Sequence, residues 1–339
     1  MKMNKLWISV ATAIILGGGY LFINKKSAPA EIAAEPIKVG VIAPLTGIVA
    51  DYGEEIHRGV EAAGATGIRF VYEDDKCDPK EAVSAFKKLT DIDKISFIIG
   101  PACGSPQEAV APLLQNGKTI VIVPSAASED LHATSHGNLY DIQYSLEDEG
   151  AFIAEQMTRA GFKKVAIVSY KNAFSQTTAT AFKAKYKGKI KELTFTDAST
   201  DISSELLKIK NQKYDAVFVA DISFFFGKGI EKLKQYAINA PIYAQYTVEL
   251  PAVRPLTEGV IYSFPSDVTG ESAAYALSKE AGQLLGSLTV ECHGDVACVK
   301  KGLDESGKFN PSGVKIRSLI LKRIVNGKPE LYIEPENKG

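Results

Sequence analysis

The sequence predicts an α/β protein of two lobes, each built on a parallel sheet. Short runs rich in β-branched and aromatic residues alternate with amphipathic segments, and the runs come in two sets of four. Within each set a run begins about every 25 residues, which is the repeat expected of βα units. Most of the runs contain consecutive apolar residues, as is typical of strands that are covered on both faces by helices.

The individual elements follow from these runs and from the segments between them. Four strands are predicted in the first half, at 37–43, 68–73, 95–100 and 119–123. Four more are predicted in the second half, at 164–170, 190–195, 215–220 and 241–245. Amphipathic helices are predicted at 79–89 and 203–212, where apolar residues recur at helical spacing.

The pattern changes after residue 245. A strand is predicted at 259–264, a helix at 271–288 and a long strand at 314–325, which ends in the hairpin signal Asn326-Gly327. This tail is too short for a third domain, so it is expected to complete both lobes.

The domain boundaries follow from this assignment and from a first crossing between the lobes near residues 140–147. Lobe 1 is predicted to comprise 37–143 with 266–303, and lobe 2 to comprise 144–265 with 304–335.

Length and composition agree with two globular lobes. The chain has 339 residues, which is more than one ordinary domain needs, and 45% of them are hydrophobic. The net charge is -1, from 39 basic and 40 acidic residues. No strong field therefore favours nucleic acid as a partner. We expect a monomer.

The N-terminus carries an export signal. Lysines precede and follow an apolar run at 6–23, a pattern typical of a secretory signal peptide or of an uncleaved membrane anchor. Residues 1–36 are accordingly predicted to be a signal peptide or an N-terminal anchor plus a tether. The rest of the chain is expected outside the cytoplasm, periplasmic or at the cell surface, with 6–23 in the cytoplasmic membrane if the segment is an anchor.

The four cysteines are predicted to form two disulfides, because the number is even and an exported protein meets oxidising conditions. Four cysteines allow three pairings. Locality favours Cys292–Cys298, which leaves Cys77–Cys103. Cys77 and Cys103 both follow predicted strand ends on one edge of a sheet, so a bridge between them is feasible.

Loops after the strands are the expected place for a ligand, because open parallel sheets bind ligands beyond the carboxyl ends of their strands. Ser105 precedes Pro106 and is predicted to cap a helix, whose free N–H groups would suit a carboxylate. The loop 125–128 adds further donors at the same edge. The alternative is that Ser105 only caps its helix and Ser125 only makes a turn.

Four segments resemble the periplasmic leucine/isoleucine/valine-binding protein family. They are VGVIAPLTGIVADYGEEIHRG (39–59), EDDKCDPKEAV (73–83), FIIGPACGSPQEAVAPLL (97–114) and IVPSAASEDL (122–131). The resemblance implies the type I periplasmic binding protein fold, in which three crossings join two Rossmann-like lobes. It also implies capture of an amino acid or a related small molecule for an ABC transporter permease.

The resemblance also implies a ligand site in lobe 1. Gly104 and Ser105 correspond to the family's ligand loop, where the residue after the second cysteine is often serine. Ala126-Ala127, next to Ser125, correspond to the Ala-Thr pair that holds the ligand carboxylate, so the threonine hydroxyl is missing here.

In lobe 2 the resemblance places an aromatic residue at Phe174. The family's acidic residue, which holds the ligand amine, falls near Tyr246, where no carboxylate stands. Asp221 or Glu249 could substitute for it. A missing partner leaves ligand atoms unpaired, so the natural ligand is not expected to be limited to free α-amino acids.

Two other functions are open from the sequence. The same lobes could serve a ligand-binding sensor, which would need a separate signalling chain. Cys103, on a strand-to-helix turn, could be the nucleophile of an amidase-like enzyme, and Cys292-His293 with Cys298 could hold zinc. A disulfide is the favoured interpretation at both places, so no catalytic residue, metal or cofactor is predicted.

Overall fold

The first lobe contains a sheet of parallel strands. The computed structural model describes residues 35–195, 203–220, 233–235 and 239–334. The sheet has the order β2-β1-β3-β4-β5, and every neighbouring pair is parallel. Its strands are β1 (Ile37–Ala43), β2 (Ile68–Asp74), β3 (Phe97–Ile99), β4 (Ile120–Val123) and β5 (Leu139–Asp141). The first four confirm the predicted strands, whereas β5 lies where only a crossing was expected.

The second lobe contains a mixed sheet of the order β12-β11-β10-β9-β8-β6-β7. Its strands are β6 (Lys164–Tyr170), β7 (Lys189–Phe195), β8 (Ala216–Ala220), β9 (Ile242–Ala244), β10 (Ile261–Pro265), β11 (Leu319–Val325) and β12 (Lys328–Tyr332). Strand β11 runs antiparallel to both of its neighbours. Asn326 and Gly327 both have positive φ, which confirms the predicted hairpin.

Helices cover both sheets. They are α1 (Ala50–Glu61), α2 (Pro79–Lys87), α3 (Gly104–Val110), α4 (Asp130–Thr134), α5 (Leu146–Arg159), α6 (Ala173–Lys185), α7 (Ser203–Gln212), α8 (Ala273–Glu291) and α9 (Val296–Glu305). Helix α8 packs on α1 of lobe 1, and α5 packs on α6 of lobe 2. A Cβ at Gly59 or at Gly150 would stand 2.3 Å from a carbonyl oxygen of the facing helix, so both contacts need glycine.

Three chain segments connect the lobes, in agreement with the predicted fold class. They are 142–145 after β5, 266–272 after β10 and 315–318 before β11. The long strand predicted at 314–325 is therefore divided: Val314 bridges to Asp141 in the first sheet, and only the part from Leu319 onward joins the second.

The division of the tail between the lobes differs from the prediction. Residues 304–314 were assigned to lobe 2, but they lie against lobe 1. The Tyr140 hydroxyl donates to Asp304, and the Asp141 N–H donates to Gly313 O at 2.9 Å. The reason is β5, which extends the first sheet by one strand and offers this segment an edge.

The side chain of Arg317 joins the three connections by hydrogen bonds. The Arg317 side chain is 1% exposed and lies in the third connection. Its guanidinium donates to Ile142 O of the first connection at 2.9 Å, to Asp267 of the second, and to Glu280 of helix α8. These bonds fix the connections relative to one another.

Both predicted disulfides are present, Cys77–Cys103 and Cys292–Cys298. The N-terminal run 6–23 lies outside the described residues, so its role stays a prediction. Among the helices that are described, none combines the length and hydrophobicity needed to cross a bilayer.

Candidate functional site

A cavity of about 140 Å³ lies between the lobes, at the carboxyl ends of the strands. Lobe 1 lines it with the Cys77–Cys103 disulfide and with Val49, Tyr52, Ala102, Gly104, Ser105 and Pro106. Lobe 2 lines it with Asn172, Phe174, Tyr246, Thr247 and Leu250. None of these lining side chains carries a formal charge. The site is therefore small, mainly apolar and bounded by both lobes.

Gly104 and Ser105 lie in the lobe 1 wall. A Cβ added to Gly104 would stand 3.3 Å from the Phe174 Cβ, so glycine lets the lobes approach closely here. Ser105 does not cap the helix as predicted: α3 begins at Gly104, two residues before the predicted start at Pro106, and Cys103 takes the cap position without a side-chain bond. The Ser105 side chain is exposed at the edge of the cavity.

The loop from Ser125 to Ala127 is buried and its polar groups have internal partners. The Ser125 hydroxyl donates to Ala102 O at 2.8 Å and accepts from Gln107 Nε2 at 2.8 Å. The Ala127 N–H donates to Asp141 Oδ2 at 2.7 Å. These hydrogen bonds lie within lobe 1. The loop therefore does not offer these donors to a ligand carboxylate, as was predicted.

Tyr246 reaches from lobe 2 into lobe 1. Its ring lies edge-on to Tyr144 and to Phe174, at 6.2 and 6.4 Å between centroids. Its hydroxyl interacts with the Ala126 N–H and with the Tyr52 hydroxyl, and burial raises the pKa of Tyr246 well above its ordinary value. The phenol thus occupies a donor that the resemblance assigned to a ligand carboxylate.

The buried carboxyl group of Glu149 accepts a hydrogen bond from the backbone of Tyr246. Glu149, at the start of α5, is fully buried, and burial raises its pKa. Its oxygens accept from the Tyr246 N–H at 3.3 Å and from Gln245 Nε2 at 2.8 Å. Sequence reasoning missed this role, because Glu149 lies about one hundred residues from its partners along the chain.

Glu249, one of the two carboxylates proposed to replace the family's acidic residue, does not line the cavity. Asp221 lies outside the described residues. Glu249 is 4% exposed, and its carboxylate accepts from Tyr262 at 2.6 Å and from Lys322 at 3.2 Å. Both partners lie in the second sheet, so the Glu249 carboxylate is not available to a ligand amine.

Asp75 is a buried carboxyl on the lobe 1 side of the site. Burial raises its pKa from 3.8 to about 6; the Cys77 N–H partly offsets this shift, and nearby Asp74 adds to it. Because the folded protein holds this proton more tightly than the unfolded chain does, Asp75 lowers stability as pH rises from about 4 to 6. The full effect is about 3 kcal/mol.

The variant Asp75→Asn is therefore expected to be more stable than the unchanged protein at pH 7, but not at pH 4. Urea unfolding at the two pH values measures the difference. Asp91→Asn, which removes an exposed carboxyl, is the matched control and should leave the pH dependence as it was. If the stability of Asp75→Asn depends on pH as strongly as that of the unchanged protein, the assigned pKa shift is wrong.

The cysteines that suggested other chemistry are all in disulfides. Cys103 is not a free nucleophile, and Cys292 and Cys298 are not thiolates for zinc. No cluster of metal-ligating side chains is found among the residues described here. A larger groove of about 680 Å³ runs past Glu280 and Lys315, but these charges are paired with each other.

The comparisons with known proteins agree with this geometry. Residues 36–316 match the family model described as periplasmic binding protein. A Leu/Ile/Val-binding protein of Rhizobium johnstonii, BraC3, is 30% identical over 302 residues, covering 82% of each chain. A leucine-, isoleucine-, valine-, threonine- and alanine-binding protein of Pseudomonas aeruginosa is 25% identical, covering 84% of this chain and 82% of the relative.

Solved structures share the fold. A leucine-binding protein of Thermotoga maritima superposes with a TM-score of 0.81 at 17% identity, covering 88% of this chain and 98% of that one. An R. palustris solute-binding protein of an ABC transporter, in complex with benzoate, superposes with a TM-score of 0.78 at 22% identity. It covers 87% of this chain and 95% of that one.

Proposed function

Because the chain belongs to the periplasmic binding protein family, we propose that it captures a small molecule between its lobes for an ABC importer. The observation that carries the proposal is the cavity at the strand ends, lined by both lobes. A ligand there touches both walls at once, so it favours the closed arrangement of the lobes through its differential affinity. The importer's permease is the proposed protein partner, and the proposed location is outside the cytoplasm.

The names of the relatives support an amino acid or an aromatic acid as the class to test first. Relatives are named for leucine, isoleucine and valine, whereas one structural neighbour holds benzoate. A single small ligand fits the volume of the cavity, and the chemistry of the walls decides between the classes.

A thermal-shift screen of the full-length protein tests the proposal. The screen covers amino acids, aromatic acids and their uncharged analogues. A true ligand at a hundred times its dissociation constant stabilises the folded state by about 2.7 kcal/mol, which raises the melting temperature by roughly 4 °C. Failure of every compound to shift the transition would count against capture in this cavity.

A variant that fills the edge of the cavity tests whether the ligand binds there. In Ser105→Trp an indole is placed at the exposed edge of the cavity, so the ligand shift should be lost while the fold is kept. Ser204→Trp places the same side chain at an exposed position of α7, away from the cavity, and should keep the full shift. If both variants respond alike, the ligand binds elsewhere.

A further inference from the structure

The side chain of Tyr246 lies between two cavities. The larger is the cavity of about 140 Å³ at the strand ends, and the smaller, of about 10 Å³, is lined by Ser272 of the second connection. Tyr52, Tyr246 and Leu250 line both cavities. Tyr246 is 5% exposed, so its ring fills the space between them. Removing this ring is therefore expected to join the two cavities into one longer space between the lobes.

The hydroxyl of Tyr246 makes a contact of the kind that a ligand makes. Tyr246 follows β9 in lobe 2, and its hydroxyl interacts with the N–H of Ala126, in the loop after β4 of lobe 1. Open parallel sheets bind ligands at such loops, beyond the carboxyl ends of their strands. A ligand that favours closure must contact both lobes, and here a side chain of the protein contacts both. The phenol therefore takes the place of a ligand group.

The turn that carries Tyr246 is fixed by bonds in which its ring takes no part. At the start of the turn, Glu149 accepts from the backbone N–H of Tyr246 at 3.3 Å. At its end, the Glu249 carboxylate accepts from the Tyr262 hydroxyl at 2.6 Å. Both bonds remain when the side chain at position 246 is made smaller. Such a substitution is therefore expected to keep the turn in place and to open the space that the ring fills.

Resting on the proposed function, we propose that Tyr246 is a specificity-determining residue: its phenol occupies the ligand space nearest to Ala126 and confines the ligand to the cavity beside Phe174. The confined cavity has about 140 Å³, and an apolar cavity of about 150 Å³ holds one benzene molecule. The part of a ligand that lies between the lobes is therefore limited to one ring or a branched alkyl group of similar size. A smaller residue at position 246 removes this limit.

Calorimetric titration of the full-length Tyr246→Ala protein with phenol and with benzene tests the proposal. Phenol is the group that the substitution removes, so it refills the space and restores the contact with the Ala126 N–H. Phe218→Ala is the control: it opens a ring-sized space inside lobe 2, where Phe218 is fully buried, and frees no hydrogen-bonding group. Because a buried hydroxyl without a partner is unfavourable, the phenol-to-benzene affinity ratio should be about tenfold higher in Tyr246→Ala than in the control.

A second variant, Tyr246→Phe, tests the hydroxyl without opening any space. It keeps the ring and removes the contact with Ala126, so deuterium exchange in the loop 125–128 should become about threefold to tenfold faster. Mass spectrometry of peptides from the full-length protein measures this exchange. Tyr186→Phe is the control: its hydroxyl donates to Phe162 O at 2.9 Å, away from the loop, so the exchange of the loop should stay the same.

Two results would overturn the inference. If the phenol-to-benzene ratio of Tyr246→Ala is no higher than that of Phe218→Ala, no ligand group takes the place of the ring. If the loop exchanges as slowly in Tyr246→Phe as in the unchanged protein, the phenol does not hold the Ala126 N–H, and this result does not depend on the folding of Tyr246→Ala. Either result leaves the proposed function intact, because the thermal-shift screen tests capture by the unchanged protein.

Discussion

Replacing both Cys77 and Cys103 by alanine is expected to lower the free energy of unfolding by about 3.5 kcal/mol. The disulfide joins residues 26 positions apart, and closing a loop of that length restricts the unfolded chain strongly. It also connects the end of β2 to the start of α3, where both sulfur-bearing residues line the cavity. Urea unfolding of the double variant measures the loss, and ligand affinity should fall with it.

The second disulfide provides the matched control. Cys292 and Cys298 are 6 positions apart, so their loop is shorter and the expected loss is about 2 kcal/mol. This pair lies between α8 and α9, away from the cavity, so ligand affinity should not change. A larger loss from the second pair than from the first would contradict the loop-closure explanation.

Replacing Arg317 by methionine is expected to cost about 3 kcal/mol of unfolding free energy. The guanidinium is buried and makes charge-assisted bonds to Asp267 and Glu280, besides its bond to Ile142 O. Removing it leaves two carboxylates without this partner. Both are partly exposed, so water can solvate them, and the loss is expected at the low end of the range for a broken buried pair.

Because Arg317 joins all three connections between the lobes, its loss should also weaken ligand binding. The control is Lys301→Ala, which breaks an exposed pair with Glu305 on α9 and should cost less than about 0.5 kcal/mol. Urea unfolding and titration of both variants give the comparison. An Arg317→Met protein as stable as the control would show that the connections are held together by other contacts.

Most of the fold could be predicted from the sequence because the composition and spacing of the apolar runs indicate strands directly. Buried parallel strands such as β8 are apolar along their whole length, and the βα repeat predicts their spacing. β5 was missed because it runs directly into the connection 142–145, where apolar and polar residues continue to alternate. The long run at 314–325 was misjudged because β-branched and charged residues alternate across a connection as they do in a strand.

The site was less predictable because its geometry depends on contacts between distant residues. Loop positions such as Gly104 and Phe174 could be placed at the strand ends by pattern and resemblance. No sequence pattern shows that Tyr246 crosses to Ala126, or that Ser125 is bonded within its own lobe. These contacts result from tertiary packing, so they can be seen only in the folded structure.

A crystal structure of the full-length protein with a compound selected by the thermal-shift screen would show whether the protein captures its ligand between the lobes. We expect electron density for the compound in the cavity between Gly104 and Tyr246, in contact with residues of both lobes. A compound bound in the open groove beside Glu280 and Lys315, with the cavity between the lobes empty, would contradict it.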